Sequence, residues 1–211
     1  MKSLFIGTPT IDQKVYTGFL HTCLSLQTQL DISVFTLGQN SSILDARNQI
    51  FTIFINSNKD YLLFLDSDVE VSANSIINMI NTNKDIIGIP VLRKNIENPT
   101  LNMGNILQYE NDNLVKVDGI STSCLMISKK VALSFTDRPK YKVGSNHVVN
   151  NKNNIPLEFY DVFHSKIVNG SYINEDYLFC KEVLEKGFDI YALLNEPSRH
   201  YGVVPFEYTG E

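Results

Sequence analysis

The chain is short of three things that would point elsewhere. Cysteine is scarce: Cys23, Cys124 and Cys180 form an odd, widely spaced set, each within an apolar run. Such a set makes no disulfide framework; buried free thiols are the expected state, which favours a reducing compartment. No apolar stretch approaches the ~18–20 residues that a helix needs to cross a bilayer. Positive charge is also in short supply, with 18 Lys and Arg against 23 Asp and Glu and a formal net charge of −5. That excludes a nucleic acid as the main partner, because binding its phosphate backbone needs clustered cations. A nucleotide, which needs only a few local positive groups, stays open. Met1 to Pro9 holds one lysine and too few apolar residues for a secretory h-region. A cytoplasmic protein with no membrane span is expected, in a host cytoplasm if the chain is viral.

What is present is ordinary globular composition. The chain has 211 residues, 43% hydrophobic and 19% charged, which suits a single domain over 1–211 with a full core. Ser3 to Thr8 reads as a buried strand stopped by Pro9. Val15, Phe19, Cys23, Leu26 and Leu30 mark one apolar helical face. Ile32 to Leu37 is the next strand. Ser41 or Ser42 can cap a helix containing Ile43, Ala46, Ile50, Ile53 and Phe54. Tyr61 to Leu65, wholly apolar, predicts a central strand. Ser72 caps a helix with Ile76, Met79 and Ile80, and Asp85 to Ile89 is a strand ended by Pro90. This alternation predicts an α/β fold with a mostly parallel sheet and helices on both faces. Ligands bind such sheets beyond the carboxyl ends of the strands, where Thr8-Pro9-Thr10 and Asp66-Ser67-Asp68 should be neighbours.

The second half is less regular. Ile106 to Tyr109 and Leu114 to Val117 flank a hairpin turn at Glu110 to Asn113. Ser123 to Ile127 is an apolar strand, followed by a short helix from Ser128 to near Phe135. Asp137 to Pro156 is polar and Asn-rich, a mobile surface loop by composition. A last helix runs from near Asn174 to Gly187, and Asp189 to Leu193 is the final strand.

Four groups of residues can carry chemistry. Asp66 and Asp68 end a buried strand, where paired carboxylates are costly unless their charge is compensated, as a divalent cation would do. The alternative is an Asx-turn with both aspartates solvated. Glu175 and Asp176 open a helix, where the dipole alone favours acids; a general base at a rigid helix start is the other reading. His200 is a lone histidine that can be a metal ligand or simply a surface or core residue. Arg47 and Asn48 lie off the face of Ile43, Ala46, Ile50 and Ile53. They fit a solvated helix surface, or recognition of a nucleotide or its diphosphate by a guanidinium fork.

The order of these groups resembles the GT-A glycosyltransferases, in particular the compact bacteriophage and large-DNA-virus members. The Thr-Pro turn is Phe5-Ile6-Gly7-Thr8-Pro9-Thr10, and the Ala-Arg-Asn triplet is Ala46-Arg47-Asn48. The apolar strand with Asp-x-Asp is Leu63-Phe64-Leu65-Asp66-Ser67-Asp68. A strand at Gly119 to Ile127 precedes the Glu-Asp helix Asn174-Glu175-Asp176-Tyr177-Leu178-Phe179-Cys180, and a late His-x-Gly is His200-Tyr201-Gly202. The likeness spans nearly the whole chain. Two departures concern the acceptor and sugar pocket: Asn174 stands where the family often has Gly, and Ser121-Thr122-Ser123 where it often has Gly-Thr-Gly.

The resemblance implies a GT-A architecture, a Rossmann-like, mostly parallel mixed sheet flanked by helices. It implies a Mn2+ or Mg2+ ion held by Asp68 and His200, with Asp66 on the ion or the donor ribose, Ser67 between them, and a UDP- or GDP-sugar as donor. Thr8, Pro9 and Thr10 would line the base, and Arg47 and Asn48 would contact the donor. Asp176, with Glu175 beside it, would deprotonate a hydroxyl of a glycan or other acceptor in an inverting reaction, and the Asp137–Pro156 loop would close over the donor. The competing readings are a binding domain for nucleotide sugars or glycans that has lost catalysis, and a haloacid-dehalogenase-type phosphatase. The latter normally carries Asp-x-Asp on its first strand with Gly and Thr soon after, where this chain has Val69-Glu70.

Overall fold

The structure, a computed structural model, describes residues 2–38, 42–95, 97–142, 158–202 and 206–210. The first half alternates as the pattern predicts: β1 (Ser3–Pro9), α1 (Thr17–Gln27), β2 (Asp31–Leu37), α2 (Ile43–Asn56), β3 (Tyr61–Leu65), a short β4 (Val69–Val71), α3 (Ala73–Asn81) and β5 (Ile86–Gly88). The hairpin is β6 (Ile106–Tyr109) with β7 (Leu114–Val117), followed by β8 (Cys124–Ser128) and α4 (Lys129–Leu133). Two small antiparallel pairs, β9 (Lys140–Tyr141) with β10 (Phe159–Tyr160) and β11 (Lys166–Val168) with β12 (Ser171–Ile173), precede α5 (Glu175–Glu185). The chain continues through β13 (Ile190–Leu193), β14 (Ser198–His200) and β15 (Phe206–Tyr208).

Local chemistry sets the helix starts. The Ser42, Ser72 and Ser128 hydroxyls accept N–H groups from Asp45, Ser75 and Val131, and the Asn174 side chain accepts that of Tyr177. The alternative cap Ser41 lies outside the described residues, as does most of the loop expected from Asp137 to Pro156.

The main sheet has the order β2-β1-β3-β8-β5-β13-β7-β6, with β8 and β7 running against the other strands. This is the mixed, mostly parallel α/β sheet that the sequence predicts. Side chains alternate between its faces with the strand period of two. Phe5, Leu62, Phe64, Leu125 and Ile127 pack against α2, α4 and α5, while Leu4, Ile6, Leu63, Leu65 and Met126 pack against α1 and α3. Burial pushes the Cys124 and Cys180 thiols up to about 12 and that of Cys23 to about 11, the inert free thiols that the spacing predicts. Among the described residues, no helix is long and apolar enough to cross a membrane.

Two features bring the site together. A Cβ on Gly7 would lie 2.2 Å from Ile50 Cγ2, so glycine there lets α2 lie against β1. Arg47, one helical turn before Ile50, is thereby carried to the strand ends. The second feature is the sheet β15-β14-β4, absent from the sequence reading, which pairs His200 with Val69.

Candidate functional site

Gly7 on β1 is registered with Phe64 on β3, so Thr8-Pro9-Thr10 and Asp66-Ser67-Asp68 emerge side by side, as the strand-end rule predicts. Pro9, Thr10, Ile11, Ile43, Ala46, Asp66, Ser67 and Asp68 line a cleft of about 390 Å³. Thr8 lies beneath it, fully buried, with a hydroxyl that has no partner among the described residues. The Asp-Ser-Asp segment is held by its backbone. Asp66 N–H donates to Ser123 O at 3.0 Å, Val69 N–H to Asp66 O at 3.0 Å, Tyr16 N–H to Ser67 O at 2.8 Å and Tyr201 N–H to Asp68 O at 2.8 Å. Neither aspartate is solvated in the manner of a simple Asx-turn, and each has a different cation.

Asp66 faces inward. Its Oδ1 lies 3.1 Å from Arg47 Nη2, and the two side chains keep 22% and 4% of their exposure. Burial, followed by the charges of Asp68 and Asp176, drives the Asp66 carboxyl above its usual range, and Arg47 pulls it back. Arg47 is therefore not a solvated surface residue. It is a buried counter-ion, although its Nε and Nη1 have no partner among the described residues.

Asp68 faces outward. Its Oδ2 accepts the Lys94 ammonium, and its Oδ1 lies 3.5 Å from His200 Nε2. Burial raises its carboxyl, but the His200 and Lys94 contacts outweigh that and hold it below the usual range. His200 Nδ1 is 2.8 Å from the Leu92 carbonyl, which can only accept, so Nδ1 carries the ring proton. Nε2, 3.5 Å from Asp68 Oδ1, is the nitrogen left to share a cation with that carboxylate. An imidazole oriented through its far nitrogen is the usual preparation for metal binding. No group of three or more His, Cys, Asp or Glu that could hold a metal occurs among the described residues. Asp68 and His200 could hold an ion only with further ligands from a bound substrate, such as the phosphates that commonly complete Mg2+ and Mn2+ sites.

Asp176, buried at the start of α5, accepts Thr122 Oγ1–H at 2.6 Å on Oδ1 and Ser121 Oγ–H at 3.1 Å on Oδ2. The two residues that depart from the Gly-Thr-Gly pattern thus include one that grips this carboxylate. Glu175 is partly exposed; burial and the neighbouring Asp176 push its carboxyl up. Both acids influence Arg47, which places them in the electrostatic surroundings of the Asp66 pair.

Asn48 does not face the cleft. Its Oδ1 accepts Val162 N–H at 2.9 Å and Phe163 N–H at 2.7 Å, and its Nδ2 donates to Phe163 O at 3.0 Å. A side chain so engaged is a strut for that segment. Lys94, Ser121 and Thr122 are the site residues that sequence reading missed; only the altered Gly-Thr-Gly triplet marked any of them.

No family model and no curated protein matches the chain. Among solved structures, A197 from STIV aligns with a TM-score of 0.59 over 96% of this chain and 86% of that one, at 16% identity. The fold is GT-A-like. S. aureus TarS 1-349, solved in complex with UDP-GlcNAc, aligns at 14% identity and a TM-score of 0.46 over 92% of this chain and 56% of that one.

Proposed function

We propose that this chain is a metal-dependent glycosyltransferase that moves a sugar from a nucleotide-diphosphate donor, a UDP- or GDP-sugar, to an acceptor hydroxyl with inversion. The observation that carries this reading is the meeting of Asp68 with a His200 ring already oriented by Leu92, at the mouth of a cleft that Pro9 and Thr10 share.

Asp68 and His200 would hold the ion, and the imidazole favours manganese. A bound divalent ion would neutralise the charge that develops on the departing nucleoside diphosphate. Asp66, fixed by Arg47, would complete the ion's surroundings or accept from the donor ribose, with Ser67 between the two aspartates. Pro9 and Thr10 would line the base with Thr8 behind them. Asp176 would accept the proton of the attacking hydroxyl. Hydroxyl grips on both of its oxygens fix the carboxylate plane, so the base meets its substrate at a set distance. Glu175 would hold the acceptor beside it.

The test is incubation with Mn2+ and a panel of UDP- and GDP-sugars with glycan acceptors, scored for nucleoside diphosphate release and for the anomeric form of the product. Asp176→Asn should lower turnover by about 10²–10⁴-fold with donor affinity kept. Release that persists undiminished in Asp68→Asn, or a product that keeps the donor's configuration, would defeat the metal or the inverting part of the reading respectively.

A further inference from the structure

The loop after Pro90 enters the site twice. Its Leu92 carbonyl orients His200, and two residues later Lys94 donates to Asp68 Oδ2. We propose that Lys94 is the resident counter-ion of the donor site: it neutralises Asp68 while no divalent ion is bound and is released to the donor's diphosphate when ion and donor arrive together. The inference rests on the transferase reading for the identity of the donor, and on geometry for the rest.

The two aspartates are compensated in unlike ways. The Asp66–Arg47 pair is closed, with side-chain exposures of 22% and 4%. The Asp68–Lys94 pair is open, at 25% and 36%. A pair with that exposure is weakly held, so its partner can be exchanged. The described residues on either side of Lys94 are tied down: Leu92 bridges to Leu101, Arg93 N–H donates to Thr100 O at 2.9 Å, and Asn95 Oδ1 accepts Glu97 N–H at 3.1 Å and Asn98 N–H at 3.2 Å. Movement is therefore left to the lysine side chain, a compact charge on a flexible stem, which needs no fixed orientation to pair with phosphate oxygens. Arg47, by contrast, is locked in place by burial.

Such an arrangement couples the two ligands. An ion arriving alone must displace the ammonium and leave it without a partner. An ion arriving with a diphosphate gives that ammonium a new anion, so each ligand strengthens the other, reciprocally. Removing the ammonium should therefore ease binding of the ion alone and reduce the coupling.

The experiment is a Mn2+ titration, followed by electron paramagnetic resonance of the free ion, on the wild-type chain, Lys94→Met and Lys94→Arg, each with and without UDP or GDP. Lys94→Met should bind Mn2+ alone about three- to tenfold more tightly than wild type, and nucleotide should tighten its Mn2+ binding less. Lys94→Arg should resemble wild type, and adding Asp68→Asn to Lys94→Met should abolish the gain. Thermal unfolding of each variant confirms that it is folded. Equal Mn2+ affinity in wild type and Lys94→Met would overturn the proposal, as would a gain that survives Asp68→Asn. Should the titrations come out as stated while no sugar nucleotide is ever turned over, the transferase reading fails and the role of Lys94 stands.

Discussion

Replacing Arg47 by methionine should damage the fold before it damages binding. Methionine keeps an unbranched stem in a site where Arg47 is 3% exposed and its guanidinium carbon lies 5.3 Å from the centre of the Phe64 ring. What is lost is the 3.1 Å pair with Asp66, whose carboxylate then faces the charges of Asp68 and Asp176 alone. Stranding one member of a buried pair costs about 3–5 kcal/mol. Two features reduce that figure here: Asp66 retains 22% of its side-chain exposure, and the two unpartnered guanidinium nitrogens disappear with the arginine. The expected loss is about 2–3 kcal/mol, or about 4–12 °C in Tm for a chain of this size. Urea unfolding followed by circular dichroism at neutral pH should show the midpoint fall at constant slope. The double variant Arg47→Met with Asp66→Asn should recover most of the loss, because no charge is left unpaired. A single variant within about 1 kcal/mol of wild type, or a double variant no more stable than the single, would refute this account of the pair.

Asn48→Ala should cost about 2–4 kcal/mol by orphaning the backbone of Val162 and Phe163, while nucleotide affinity of the folded fraction, measured calorimetrically, stays unchanged. Thr122→Val removes the 2.6 Å hydroxyl contact to Asp176 at nearly constant volume, so turnover should fall and donor KM should hold; equal losses in both would mean that Asp176 contacts the donor. For Glu175 the sign follows from a carboxyl raised by burial and then by Asp176. The folded state holds that proton more tightly than the unfolded chain, so its stabilisation is present below the unfolded carboxylate range and is lost as pH rises through the raised value. Glu175→Gln should thus be more stable than wild type at neutral pH, with the gap in urea midpoints closing as pH falls toward about 4. A gap independent of pH would show that charge is not the cause.

The strand ends were legible because an apolar run that stops at Asp66 and another that stops at Pro9 each report burial followed by its abrupt end. Ser42 and Ser72 fixed two helix starts for an equally local reason. The buried Arg47 was also written in the spacing: with Ile50, Phe51 and Phe54 it falls at three-, four- and seven-residue intervals, on one helical stripe. Its charge drew attention away from that position. The bonds of Asn48 to Val162 and Phe163 were not legible, because those partners are remote in sequence and nothing local announces a side chain that bonds to distant backbone. Lys94 has the same difficulty, since its meeting with Asp68 depends on how the loop after Pro90 folds across the strand ends. His200 was placed at the site by resemblance alone; its physical route there, the pairing of β14 with the three residues of β4, leaves no periodic trace.

The position of β13 bears on how such a chain comes into being. Its ladder to β5 on one side and β7 on the other is what joins the β6–β7 hairpin to the rest of the main sheet. During synthesis every other strand of that sheet emerges first, so until Ile190 to Leu193 leave the ribosome, two edges stay open in what becomes its middle. Open edges of this kind invite pairing with other chains. A chain halted just short of Ile190 would carry Asp68 and Asp176 but neither the strand that closes the sheet nor His200. Such fragments should be substrates for chaperones and proteases.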